Sequence, residues 1–83
     1  MVIQTGRPTY AERWGQRISE QRNLRGLDIS GLAIALGVSR QAVKAWETGK
    51  YTPSDTHRIK LARFFNMEPN GLFDLRLDDE VAA

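Results

Sequence analysis

Leu36-Gly37-Val38-Ser39-Arg40-Gln41-Ala42-Val43-Lys44-Ala45-Trp46-Glu47-Thr48-Gly49-Lys50 holds two helix-boundary signals at close range. Gly37 sits where a preceding helix must stop, since glycine tolerates the positive φ that a sharp exit requires. Ser39 is a good N-cap, because its hydroxyl can accept an otherwise unpaired backbone N–H of the next helix. That helix is expected from Arg40 to about Thr48, with Val43 and Trp46 turned inward. Upstream, Asp28 caps a second short helix whose Ile29, Leu32, Ala33 and Leu36 lie on one face. Only Gly37, Val38 and Ser39 separate the two, and Val38 is placed to plug the turn.

Helical spacing recurs on both sides of this pair, and no segment alternates long enough to read as a strand. The chain is therefore expected to be all-α, a compact five-helix domain. A first helix is predicted from Tyr10 to Arg25, capped by Thr9, with Trp14, Ile18, Gln21 and Leu24 inward and Gly26 as terminator. Gly49 to Pro53 reads as a loop. Ser54 caps a fourth helix to about Asn66, with Ile59, Leu61, Ala62, Phe64 and Phe65 as its apolar stripe, and Pro69 opens a fifth carrying Leu72, Phe73 and Leu75. Residues 1–8 read as a loose arm, 9–75 as the domain and 76–83 as an acidic frayed tail.

Composition narrows the function classes. With 83 residues there is room for one domain held by apolar burial. There is no cysteine and only one histidine, His57, so no thiolate cluster or zinc site is expected. His57 itself reads as a surface or satisfied core residue before it reads as a switch. No apolar run approaches the ~20 residues of a bilayer span, and no leader pattern is evident, so a cytoplasmic protein is expected. No nucleophile–base pair or phosphate-cradling glycine loop suggests an enzyme, and no cofactor is expected. Residues 1–63 carry eleven of the twelve lysines and arginines against five acids, whereas residues 64–83 carry one arginine against five acids. A basic body with an acidic end suits a polyanion-binding domain, because phosphate neutralisation supplies most non-specific affinity.

Two short helices joined through a three-residue, glycine-containing turn form the helix-turn-helix arrangement, in which the second helix projects into the DNA major groove. Ala33 is small enough for the two helices to cross closely. At this level the chain resembles the phage-repressor-like helix-turn-helix proteins of Cro/C1 or Xre type. The likeness runs through Gly26-Leu27, Leu32-Ala33, Leu36-Gly37-Val38-Ser39-Arg40, Val43 and Trp46-Glu47-Thr48-Gly49-Lys50, and more weakly through Pro53-Ser54, Leu61-Ala62 and Leu72-Phe73.

The resemblance implies a sequence-specific DNA-binding transcriptional regulator whose third helix reads bases through Arg40, Gln41, Ala42, Lys44 and Ala45, and with no sensor domain or cofactor pocket visible in the sequence a repressor is expected. The side-chain chemistry agrees: glutamine can bond an adenine edge, arginine or lysine a guanine or phosphate, and an alanine methyl a thymine methyl. Phosphate contacts are expected from Ser39, Lys50, the Tyr51 backbone, Thr52 and Arg58, with Arg7 on the arm and Arg22 as further candidates. The family also pairs an acid at the Glu47 position with an arginine of the first helix, here Arg22, as a structural clamp that can aim Arg22 at a phosphate. Many relatives hold a phosphate with a glutamine where this chain has Ile29, so that anchor is expected to be missing and Ile29 to pack inward or against sugar. Gly31 costs that helix up to ~1 kcal/mol relative to alanine. Asp55 and Arg58 stand where relatives are often apolar, which points to shifted packing on the fourth helix.

The expected partner is an inverted-repeat duplex bound by a homodimer. The competing reading is an antitoxin-like module that binds a protein through its acidic end and through Phe64, Phe65, Leu72, Phe73 and Leu75. Those residues equally complete the core or form a homodimer surface.

Overall fold

The computed structural model describes residues 8–74, and among them five helices follow in order: α1 (Tyr10–Leu24), α2 (Ile29–Leu36), α3 (Arg40–Thr48), α4 (Asp55–Phe64) and α5 (Pro69–Phe73). Arg7, Leu75 and the acidic tail lie outside the described residues. Capping chemistry fixes four of the five starts. Thr9 and Glu12 form a reciprocal capping box, the Thr9 hydroxyl accepting the Glu12 N–H at 3.1 Å and the Glu12 carboxylate accepting the Thr9 N–H at 2.8 Å. Asp28 accepts the Gly31 N–H at 2.7 Å, Ser39 the Ala42 N–H at 3.1 Å and Ser54 the His57 N–H at 3.3 Å. The fifth helix begins on Pro69, which lacks the N–H that would otherwise go unpaired there.

One core joins all five helices. Ile18, Leu32, Val43, Leu61, Phe65 and Leu72 are fully or almost fully buried, and Leu36, Trp46 and Phe73 close around them. α1 is the organiser, with α3 packed on one side and α5 on another, while α4 rests on α2 and α5. The Trp14 indole donates to the Phe73 carbonyl at 2.9 Å and Arg17 to the Gly71 and Leu72 carbonyls, each at 3.1 Å, so α1 side chains satisfy the open end of α5. Arg25 does the same for the Phe65 carbonyl at the end of α4.

Three expectations need correction. Leu24 faces outward at 76 % exposure, because it falls in the last turn of α1, beyond the reach of the core. The fourth helix ends at Phe64 instead of Asn66; Asn66 takes a left-handed φ of 58° and turns the chain, so that Met67 packs on the core instead. Phe64 is left exposed at that early exit, Ile59 is exposed because it lies off the inward side of the helix, and the buried stripe of α4 reduces to Leu61 and Ala62, with Phe65 at its C-cap.

A close approach between backbones sets the α1–α3 crossing. A Cβ on Gly15 would lie 2.3 Å from the Trp46 carbonyl oxygen, and one on Gly49 would lie 2.5 Å from Glu12 Cγ. Both positions admit only hydrogen.

Candidate nucleic-acid interface

The α2–α3 turn is built by Gly37, at φ 72°, and by the Val38 N–H, which donates to the Ala33 carbonyl at 3.0 Å. Val38 is half-buried against the core, and Ser39 then restarts the helix. With Val43 and Trp46 anchored, the opposite side of α3 is fixed by helical geometry: Arg40, Gln41, Lys44 and Thr48 are exposed. The predicted base readers divide accordingly. Arg40, Gln41 and Lys44 stand together on the outer side, Ala45 is half-buried at its margin, and Ala42 turns its methyl toward the core. Ala42 is therefore displaced from the reading face, because it lies one turn before Trp46 on the packed side. Thr48 was not anticipated; it continues the Lys44 row, and its hydroxyl donates back to the Lys44 carbonyl at 2.9 Å.

Beside this row the start of α2 forms the opposite wall of an open groove of about 630 Å³, lined by Asp28, Ile29, Ser30, Arg40, Gln41 and Lys44, with Arg22 at its base. Ile29 both packs on the core and lines the groove, as expected of an apolar residue at that position. Ser39 is exposed at the α3 start, where its oxygen accepts the Ala42 N–H while its own hydroxyl proton can still be donated.

Arg22 and Glu47 meet as a two-pronged pair. Arg22 Nε donates to Glu47 Oε2 at 2.7 Å and Nη2 to Oε1 at 2.9 Å, with side-chain exposures of 13 % and 9 %. Nη1 is occupied as well, by the Leu27 carbonyl at 2.7 Å. The Glu47 hydrogen bond raises the Arg22 pKa above its ordinary value and outweighs the opposing pull of burial. The guanidinium is thus committed to joining α1, the α2 entry and α3, in keeping with the structural role expected for it.

The loop after α3 presents Lys50, Tyr51 and Thr52, all exposed, with the Lys50 ammonium 5.5 Å from the Tyr51 ring centre. The Tyr51 N–H, expected to face a phosphate, donates instead to the Ala45 carbonyl at 3.3 Å, so it is the phenol that this residue offers outward. Arg58 is also drawn inward: it pairs with Asp55, donates to the Pro53 carbonyl and covers the Trp14 ring at 5.0 Å. Arg58 thus packs over an α1 aromatic, with the exposed Asp55 paired to it, which accounts for the polar residues noted there. His57 lies against Trp46, with ring centres 5.2 Å apart, and its Nδ1 is 2.9 Å from the Ser54 hydroxyl. Arg7 lies outside the described residues. Among the described residues no group of side chains could hold a metal ion, and no helix is long and apolar enough to cross a membrane.

The helix-turn-helix family model matches residues 18–72, which spans α2, the turn, α3 and the helices that support them. The chain belongs to the Cro/C1-type (Xre) helix-turn-helix family. It is a DNA-binding transcriptional regulator of this type, not an enzyme. Among relatives, an uncharacterized HTH-type transcriptional regulator of Methanocaldococcus jannaschii is 41 % identical over 64 residues, covering 77 % of this chain and 96 % of the relative. One from Archaeoglobus fulgidus is also 41 % identical over 64 residues, covering 77 % and 89 %. Among solved structures, the restriction-modification controller protein C.AhdI from Aeromonas hydrophila superposes with a TM-score of 0.71 at 35 % identity, covering 76 % of this chain and 96 % of that one. The five-helix architecture of the family is therefore shared by this chain.

Proposed function

We propose that this regulator acts as a homodimeric repressor in the cytoplasm, reading an inverted-repeat operator with one α3 in each of two successive major grooves. The observation that carries the reading is the outward row of Arg40, Gln41 and Lys44 on a helix whose other side is fully anchored. Gln41 is assigned to an adenine edge and Arg40 and Lys44 to guanine or phosphate, with Ala45 able to meet a thymine methyl from the margin. Ser39, Lys50, Thr52 and the Tyr51 phenol are assigned to the sugar–phosphate backbone, and Arg7 to the backbone or minor groove beside the site. Blocking polymerase is the outcome proposed for a dimer seated on an operator in this way.

For the antitoxin-like alternative, Phe64 is exposed, while Leu75 and the acidic residues after Asp74 lie outside the described residues. Phe65, Leu72 and Phe73, which would have formed its protein-binding surface, are core residues. Selection of bound sites from a random duplex library tests the proposal. A recovered inverted repeat with half-sites about one helical turn apart supports it, whereas recovery of no preferred sequence, or of a single asymmetric half-site, overturns it.

A further inference from the structure

Asn70-Gly71 is the one Asn-Gly pair of the sequence, and it lies in the first turn of α5, a helix of only five residues. Both residues are exposed. The start of this helix is open: the Glu68 side chain makes no capping hydrogen bond, and the first helical bond runs from the Leu72 N–H to the Glu68 carbonyl at 3.0 Å. Among the described residues the Gly71 N–H therefore has no acceptor, as the early N–H groups of an uncapped helix do not. No atom lies within 4 Å of the point where a Cβ on Gly71 would stand, so this side of the peptide faces open space.

We infer that Asn70 is a site of spontaneous deamidation. The Gly71 backbone nitrogen gives its proton to water or hydroxide and attacks the Asn70 side-chain carbonyl carbon. A C–N bond forms and closes a succinimide ring, while the side-chain nitrogen takes up a proton and leaves as ammonia. Water then opens the ring at one of its two carbonyls: one opening yields an ordinary aspartate, the other an isoaspartate whose main chain is longer by one carbon. Water is the only co-reactant. Glycine favours the attack because it has no side chain to block the ring, and the free N–H means that no hydrogen bond is lost. Asn70 is held in its helical conformation by its carbonyl, which accepts the Asp74 N–H at 2.8 Å at the far end of a very short helix, so local opening is a small event. The other asparagines lack this combination. Asn23 precedes Leu24 within α1, and Asn66 precedes Met67, whose N–H donates to the Ala62 carbonyl at 2.8 Å. Arg17 holds the Gly71 and Leu72 carbonyls and Trp14 the Phe73 carbonyl, so a main chain lengthened just before Gly71 moves all three acceptors and loosens α5 on α1.

Ageing the full-length protein in mildly alkaline buffer, followed by proteolysis and mass spectrometry, tests the inference. The peptide holding Asn70 should gain about 1 Da, as an amide becomes an acid, and should appear as both the aspartyl and isoaspartyl forms. Conversion at Asn70 should run on the order of tenfold or more ahead of that at Asn23 and Asn66, and Gly71→Ala, which adds a methyl into open space, should slow it by a similar factor. Equal rates at the three asparagines, a Gly71→Ala variant that converts as fast as the wild type, or a product without isoaspartate overturns the site or its route. The same holds if the chain converts in urea but stays intact when folded, since α5 would then shield Asn70. The isoaspartyl fraction, separated by ion exchange, should melt below the fresh protein, whereas Asn70→Asp, which carries the charge without the added carbon, should melt close to it. Identical melting of all three overturns the loosening of α5.

Discussion

Gly15 lies directly against the end of the recognition helix: a single added carbon would sit 2.3 Å from the Trp46 carbonyl oxygen and 2.5 Å from that of Glu47. The contact is backbone to backbone, so no side-chain rotation can relieve it. Gly15→Ala should therefore force α1 and α3 apart and destabilise the fold by about 1–3 kcal/mol, the range for overpacking a close-packed site. Urea denaturation measures this, and a midpoint equal to that of the wild type would mean that the helices do not meet this closely.

Breaking the Arg22–Glu47 pair leaves one largely buried charge without its partner. Glu47→Gln and Arg22→Met should each cost about 2–4 kcal/mol, with most of the loss arising from the stranded charge in Glu47→Gln and from lost packing and the freed carboxylate in Arg22→Met. The pH dependence has a definite sign. Arg22 has a raised folded pKa, so its contribution is fully present below its unfolded pKa and is lost only as pH rises through the higher, folded value. Between about pH 7 and 9 the stability gap between wild type and Arg22→Met should thus stay constant. A gap that closed within that interval would count against guanidinium ionisation as the source of the effect.

Binding variants should separate base reading from phosphate anchoring. Gln41→Ala is expected to relax preference at one position of each half-site, at about 1–3 kcal/mol of discrimination. Lys50→Ala should instead weaken all duplexes alike and lower the magnitude of the log–log salt slope by about one. Fluorescence anisotropy on matched and single-substituted duplexes, repeated over a salt series, reads both. The assignment of Gln41 to a base fails if its alanine variant keeps the wild-type preference.

Ile29 lines the groove between α2 and α3, at a position where many members of the resembled family carry a glutamine. Ile29→Gln should restore a phosphate hydrogen bond and tighten binding several-fold for every sequence, since one such bond contributes about 1 kcal/mol. The same change removes an apolar side chain from the edge of the core, so the melting temperature should fall by a few degrees. Calorimetry and anisotropy together check the two opposed effects.

The turn and the clamp were legible in the sequence because they rest on local chemistry or on a fixed motif. Gly37, Ser39, Asp28 and Thr9 act on backbone groups within four residues, and the Trp46-Glu47 to Arg22 relation came with the resemblance. What escaped notice depends on crossings that no short window contains. Gly15 carries no signal of its own within α1, because its value lies in what approaches it from α3. Helical spacing put Leu24, Ile59 and Phe64 inside, but spacing cannot tell where a helix leaves the core, as Leu24 and Phe64 do, or which part of a broad stripe faces solvent, as Ile59 does. Ala42 has a side chain too small to give a clear inward or outward signal, and it proved to be on the packed side. Arg58 carried the right charge for a phosphate, whereas Asp55 and the Trp14 ring claim it first.

Arg22 grips the Leu27 carbonyl and the Glu47 carboxylate with one rigid planar group, so the end of α3 is tied to α1 and to the entry of α2. Warming should accordingly erase operator recognition and tertiary order at one common midpoint. In a protein wired this way, the outer surface of α3 and the body that carries it are expected to stand or fall together.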